Sequence, residues 1–414
     1  MSLSEDLAWR GLIKDKTFDK SQWLDKPGTF YWGVDCSSDS LTIGNLAPLL
    51  LARRLAEAGW KAVLLVGGAT SLIGDPGGKD AERPLLPRET VQANVEKIKA
   101  QVAGLFDQQD FIPADNYEWF KDLNYLEFLR DTGKHFSVTE LIQRDFIAER
   151  IGEGGSGISY AEFSYSLIQG YDFWQLFKRH GATLQIGGSD QWGNMLSGVA
   201  LIRKKESAEA QALSMPLVVN KATGKKFGKS ESGAVWLDAA KTSPTQFYQF
   251  WINCDDEDAV DYLKVFTLMP KDKIEDIAKQ HAQAPQKRLA QTELAREVTR
   301  LVHGQDKVDF AEEVTRFLTG EQPIADANDE AIKEIRQALP SVKVQPGTSL
   351  IDALVQTGLA ASNSEARRLI DSKAVYVNGG SFDQAHLESS VFKNGRLMLR
   401  RGKAFKDSAL VELI

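Results

Sequence analysis

Cysteine is nearly absent from this chain. The 414 residues include two, Cys36 and Cys254, too few for a disulfide framework or a cysteine-rich zinc site. Histidine is almost as scarce. There are five, none paired at ligand spacing, so no protein-bound metal is expected. Long apolar runs are missing as well. The longest, "LAPLLLA" at 46–52, falls far short of the roughly 20 residues a membrane span needs. The N-terminal "MSLSEDLAWRGLIKDKTF" lacks the apolar core of a secretory signal. A reducing, cytoplasmic setting away from membranes is the expectation. Positive charge is in deficit too. A net charge of −7 speaks against a surface coated for nucleic acid. No repeats or low-complexity segments stand out.

What remains is an ordinary globular composition, 43% hydrophobic and 26% charged, in a chain too long for one core. Two or three domains are expected. The charge is unevenly spread. Residues 341–414 hold ten Lys and Arg against seven Asp and Glu, which leaves the first 340 residues at −10. A basic appendage on an acidic body fits that asymmetry.

Residues 29–75 predict strand, loop, helix and strand: "TFYWGVD", "SSDSLTIG", "NLAPLLLARRLAEAG" ending at Gly59, then "KAVLLVGGA". That is a βαβ unit of a doubly wound parallel sheet. "TLQIGG" at 183–188 adds a further parallel strand. Expected boundaries are a Rossmann-like catalytic domain over 1–219, a signature loop and helical domain over 220–335, a linker over 336–345 and a small α+β domain over 346–414. In the last, Ser362 and Glu365 have capping-box spacing, and Asn378-Gly379 and Asn394-Gly395 signal hairpins. "GEGGSG" at 152–157 imitates a dinucleotide fingerprint but follows a helical pattern rather than a strand, so a loop is expected there.

Four stretches carry chemistry. "DCSSDSLTIGN" at 35–45 runs from a strand end into a helix N-terminus, where unpaired amides favour anions and Ser37, Thr42 and Asn45 add neutral donors. "GGATSLIGDPGGKDAERP" at 67–84 offers Asp75 to a cation and Lys79 and Arg83 to a polyphosphate. On a helix through "YSLIQGYD", Tyr165, Gln169 and Asp172 fall within roughly 60° of one another, opposite Phe163, Leu167, Gly170, Trp174 and Phe177. "NKATGKKFGKSESG" at 220–233 puts four lysines on a glycine-hinged loop suited to clamping phosphates. Each alone also reads as a solvated surface. Together they imply nucleotide-dependent group transfer.

With "GKHFSV" at 133–138, "YSLIQGYDF", "GGSDQWGN" at 187–194 and "KFGKS" at 226–230, the chain resembles the bacterial tyrosyl-tRNA synthetases over nearly its whole length. The resemblance implies activation of tyrosine by ATP, with Mg2+, and transfer to tRNA(Tyr) by a homodimer. It implies that Tyr31 and Asp172 meet the substrate phenol, and that Asp75, Tyr165 and Gln169 hold its ammonium beside Gln191. ATP would meet Gly33, Asp35, Gly44, Gly188, Asp190, Lys79 and Arg83. Lys226 and Lys229 would close on the phosphates beside Ser37, Thr42 and Asn45. The tail resembles an S4-type RNA-binding module, and Arg367, Arg368, Arg396, Arg400 and Arg401 are expected to grip tRNA. Three departures stand out. Thr42-Ile43-Gly44-Asn45 replaces the HIGH signature, Ser37 replaces threonine, and Trp32 replaces a small residue. Altered ATP kinetics are therefore expected. The open alternatives are a tryptophanyl-type synthetase and a catalytically silent RNA-binding protein.

Overall fold

The computed structural model describes residues 1–75, 85–106, 109–219, 229–230, 233–402 and 407–414. The chain forms two compact units, one of residues 1–241 with 253–298, the other of residues 242–252 with 299–414.

The first unit is built on a six-stranded sheet: β1 (Asp15–Lys16), β2 (Thr29–Asp35), β3 (Lys61–Gly67), β4 (Phe111–Asp115), β5 (Leu184–Gly188) and β6 (Gln211–Met215). Their spatial order is β1-β6-β5-β2-β3-β4, all parallel but for β1 at one edge. The expected βαβ unit is present over residues 29–67. Chain direction across the sheet reverses between β2 and β5, which opens a crevice beyond their C-terminal ends.

Local chemistry sets the elements that flank this crevice. The helix Ile43–Glu57 starts at Thr42, whose backbone N–H donates to Asn45 Oδ1 at 3.0 Å. The helix Tyr160–His180 starts with a reciprocal Ser159–Glu162 capping box and stops at Gly181, with φ of +68°. It packs closely on the helix Trp192–Glu206. A Cβ on Gly198 would lie 2.6 Å from Phe173, and one on Gly170 would lie 3.1 Å from both Ser197 and Phe136. The residues 152–157 form a loop, as expected. The end of the signature loop contributes the short strand β7 (Lys229–Ser230), paired antiparallel with β8 (Gly233–Ala234).

The second unit carries the helices Pro244–Ile252, Gln305–Thr319 and Asp329–Ala338 and two small sheets. The strands are β9 (Ser341–Val344), β10 (Thr348–Ser349), β11 (Val375–Val377), β12 (Gly380–Ser381), β13 (His386–Leu387), β14 (Arg396–Arg401) and β15 (Ser408–Leu413). Five of them run in the order β12-β11-β14-β15-β9, and β10 pairs with β13. The two Asn-Gly turns have positive φ at both residues, as hairpin turns of this type require. Ser362 caps the helix Asn363–Asp371 by accepting from the Glu365 N–H, while Glu365 reaches back to the amide of Ala361.

The expected linker over 336–345 is corrected here. Residues 336–338 complete a helix, and 341–344 are β9, paired parallel with β15. Pro340 and Pro346-Gly347 bracket a four-residue strand rather than marking a free connector. The sheet also buries both faces. Leu397, Leu399, Ala409 and Val411 share a core with Leu350 and Leu354, while Met398 and Leu410 pack with Phe317, Ile332 and Ile335. The helices before residue 340 and the strands after it are thus one body. The stretch 220–335 is likewise divided, with 253–298 belonging to the first unit.

Candidate functional site

A cavity of about 550 Å³ opens beyond the ends of β2 and β5. At its inner end lies Asp172, 2% exposed, on the helix face expected to be polar. Asn116 Nδ2 donates to one carboxylate oxygen at 3.1 Å and Trp119 Nε1 to the other at 2.8 Å. Burial outweighs both bonds and raises the carboxyl from the ordinary 3.8 to about 8. Tyr31, on β2, is 1% exposed and lines the same cavity. Its hydroxyl has no hydrogen-bond partner among the described residues. Burial, and then the nearby Asp172, raise its pKa well above the usual value for a phenol. A buried, unsatisfied hydroxyl is costly unless something supplies a partner. Here a carboxylate and an orphan hydroxyl face one hollow, as a pocket for a polar aromatic group requires.

Next along the wall is a hydrogen-bonded relay. Ser166 Oγ donates to Asn194 Oδ1 at 2.6 Å, Asn194 Nδ2 to Gln191 Oε1 at 3.2 Å, and Gln191 Nε2 to Asp75 Oδ2 at 2.6 Å. The polar turn "GSDQWGN" thus orients a carboxylate that comes from another loop. Gln169 and Tyr165 line the same cavity as Asp75 and Asp172. Tyr165 donates to Asp35 Oδ2 at 2.9 Å, and Thr70 Oγ1 donates to Asp35 Oδ1 at 2.7 Å. Tyr165, expected beside the ammonium, is thereby also the partner of Asp35.

The outer part of the wall holds Gly33, Ser37, Thr42, Gly44, Asn45 and Trp32. Asn45 Oδ1 accepts from both the N–H and the Oγ1 of Thr42, each at 3.0 Å. The changed signature therefore caps its own helix and leaves the Asn45 amide N–H groups without a partner among the described residues. Gly188 and Asp190 lie on the facing wall, where a Cβ on Gly188 would meet Asp190 Oδ1 at 2.6 Å. Of the expected phosphate-binding residues, Lys79, Arg83 and Lys226 lie outside the described residues, and Lys229 is placed by its backbone in β7. Among the described residues no three His, Cys, Asp or Glu side chains gather as a metal site would need.

Sequence reasoning missed three polar residues of this site. Asn116 and Trp119 hold Asp172, and Gln185 lines the cavity at 3% exposure with its Oε1 unpartnered among the described residues. Gln185 had a visible signal, an amide inside the buried apolar run "LQIGG". Asn116 and Trp119 had none, because their segment carries no periodic pattern.

The expected tRNA-gripping arginines divide. Arg396 donates to Ala327 O at 3.0 Å and to Asp329 at 3.1 Å, and Arg401 donates to Leu359 O and Asp407, both at 3.1 Å. Arg400 stacks over Tyr376. Arg367 and Arg368 are exposed on the helix Asn363–Asp371.

Comparison with known proteins matches residues 24–319 to the family "tRNA synthetases class I (W and Y)" and residues 331–406 to "Tyrosine--tRNA ligase SYY-like C-terminal domain". The tyrosine–tRNA ligase of Streptococcus gordonii is 44% identical over 97% of this chain and 98% of its own. That of Geobacillus kaustophilus is 44% identical over the same shares. Among solved structures, a C-terminally truncated mitochondrial tyrosyl-tRNA synthetase of Aspergillus nidulans is similar with a TM-score of 0.69 and 30% identity, covering 77% of this chain and 94% of that one.

Proposed function

The chain belongs to the class I tyrosyl-tRNA synthetases, and from that premise we propose how its residues divide the work. The reaction is ATP-dependent ligation of tyrosine to tRNA(Tyr). The tyrosine carboxylate attacks the α-phosphorus of ATP, a C–O–P linkage forms, and the bond to pyrophosphate breaks. A hydroxyl at the tRNA 3′ end then attacks the adenylate carbonyl and AMP departs. The first nucleophile is already ionised at neutral pH, so the site supplies positioning and charge stabilisation rather than a general base.

Tyr31 donates to the phenol oxygen of the substrate, whose O–H donates to Asp172. The observation that carries this reading is the orphan Tyr31 hydroxyl facing the same cavity as the buried Asp172. Asp75, steered by Gln191, takes the ammonium with Gln169 and Tyr165 alongside. The adenosine lies along Gly33, Asp35, Gly44, Gly188 and Asp190, and Asn45 donates toward the phosphates beside Ser37 and Thr42. Lys79, Arg83, Lys226 and Lys229 neutralise the phosphates by analogy with the family. Mg2+ arrives with ATP, carried by its phosphates.

The C-terminal sheet and its helices act as an S4-like RNA-binding module, with Arg367 and Arg368 on the tRNA backbone. A catalytic body carries the activation site, and the second unit, helices and sheet together, binds the tRNA. A homodimer in the cytoplasm is the working form. Six of the eleven exposed large apolar side chains among the described residues fall between Tyr125 and Tyr160, which supports a partner surface there.

Amino-acid-dependent ATP–pyrophosphate exchange tests the reading. Tyrosine should drive exchange, and phenylalanine and tryptophan should not. Exchange no faster than a buffer blank, or activation of tryptophan alone, would refute it.

A further inference from the structure

We propose that Asp39 and Lys241 are positioning residues for the nucleotide. They form a latch that fixes the exit of the signature loop against the loop entering helix 43–57 and holds Trp236 as a wall of the cavity. The inference rests on the reading that ATP occupies the outer half of that cavity.

The two segments are joined by two backbone–backbone bonds and one from backbone to side chain. Ile43 N–H donates to Val235 O at 3.1 Å, Leu237 N–H to Leu41 O at 2.8 Å, and Asp238 N–H to Ser40 Oγ at 3.1 Å. Thr42 and Trp236 face each other across this bridge, and both line the cavity. The chain that leaves the lysine-rich loop is thus stitched onto the segment that replaces the HIGH signature.

Side chains complete the join. Lys241 forms an ion pair with Asp39, and its ammonium lies 4.5 Å from the centroid of the Trp236 ring. One cation thus touches both the carboxylate and the indole, so the Asp39 charge sets where Lys241 sits and Lys241 braces the ring. Asp39 is half-buried, and hydrogen bonds from Lys241 first and Lys97 second draw its pKa down to about 2. Asp39 therefore stays ionised throughout the neutral range. Lys97 approaches from the helix Arg88–Phe106, on the more exposed arm at 57%. An exposed ion pair of that kind contributes little by itself. Lys241 differs because it couples the carboxylate to a residue on the cavity wall.

A purely structural ion pair would alter stability and leave the two substrates equally affected. A positioning latch affects the nucleotide selectively. In tyrosine-dependent pyrophosphate exchange, Asp39→Asn and Lys241→Met should each raise the KM for ATP about three- to tenfold, while the KM for tyrosine stays within about twofold. The double variant should be no worse than the more impaired single one, because both changes open the same join. Lys97→Met should remain near wild type. Unchanged ATP constants in both variants would overturn the latch. So would ATP and tyrosine constants that rise together, or single effects that multiply in the double variant. Wild-type exchange in the same assay separately tests the site reading on which the latch depends.

Discussion

Asp172 sits under opposing influences. Two donors, Asn116 and Trp119, favour its ionised form, and complete burial disfavours it more, leaving the pKa at about 8. In the unfolded chain the same carboxyl ionises near 3.8. Between those two values folding takes up a proton, so this group's contribution to the stability of the unliganded protein falls as pH rises through the window and levels off above it. Asp172→Asn has no such proton. In urea unfolding followed from about pH 5 to about pH 8.5, the wild type should lose stability relative to that variant. Its partner can be tested by specificity. Tyr31→Phe removes one neutral hydrogen bond to the phenol, so discrimination between tyrosine and phenylalanine in exchange assays should fall about tenfold. Discrimination unchanged by the variant would place the phenol elsewhere.

At the scale of elements, the pocket depends on two helices brought unusually close. Phe173, next to Asp172, lies against Gly198, and Phe136 of "GKHFSV" lies against Gly170. Gly198→Ala should destabilise the protein by about 1–3 kcal/mol in denaturant titration and raise the KM for tyrosine, because the side chain that must yield adjoins the phenol-binding carboxylate. The helix 160–180 was legible in advance. Its polar face was read from the spacing of Tyr165, Gln169 and Asp172, which line the cavity together, whereas its Ser159–Glu162 capping box and its stop at Gly181 came from the structure. The turn "GSDQWGN" was legible as a family motif, but the hydrogen bond it makes was not. Which carboxylate it served, Asp75, lay more than a hundred residues away.

At the scale of the whole molecule, every cavity-lining residue among the described residues belongs to the first unit, and the tail helix that carries Arg367 and Arg368 belongs to the second. Removing residues 346–414 should leave pyrophosphate exchange within about twofold and abolish charging of tRNA(Tyr). It should also cost solubility, because Phe317, Ile332 and Ile335 lose the sheet that covers them. Arg367→Ala and Arg368→Ala should weaken tRNA binding. Each should also reduce the slope of log affinity against log salt by roughly 0.7–0.9 if it contacts a phosphate. Arg396→Ala should act differently, through stability, since its guanidinium holds Ala327 O and Asp329.

The sequence by itself determined what neighbouring residues can encode. The parallel strands follow from short apolar runs, the helix ends from caps and glycines, the hairpins from Asn-Gly, and the family from motifs in order. Those signals are local, because backbone preference and side-chain period act over a few residues. The tertiary structure alone decided which distant groups share a partner. It set Asn116 and Trp119 on Asp172, Gln191 on Asp75, and Asp39 on Lys241, and it turned a supposed linker into a strand with covered faces. Hydrogen bonds and desolvation act through space, and chain order carries no record of them until the sheet has closed around the cavity.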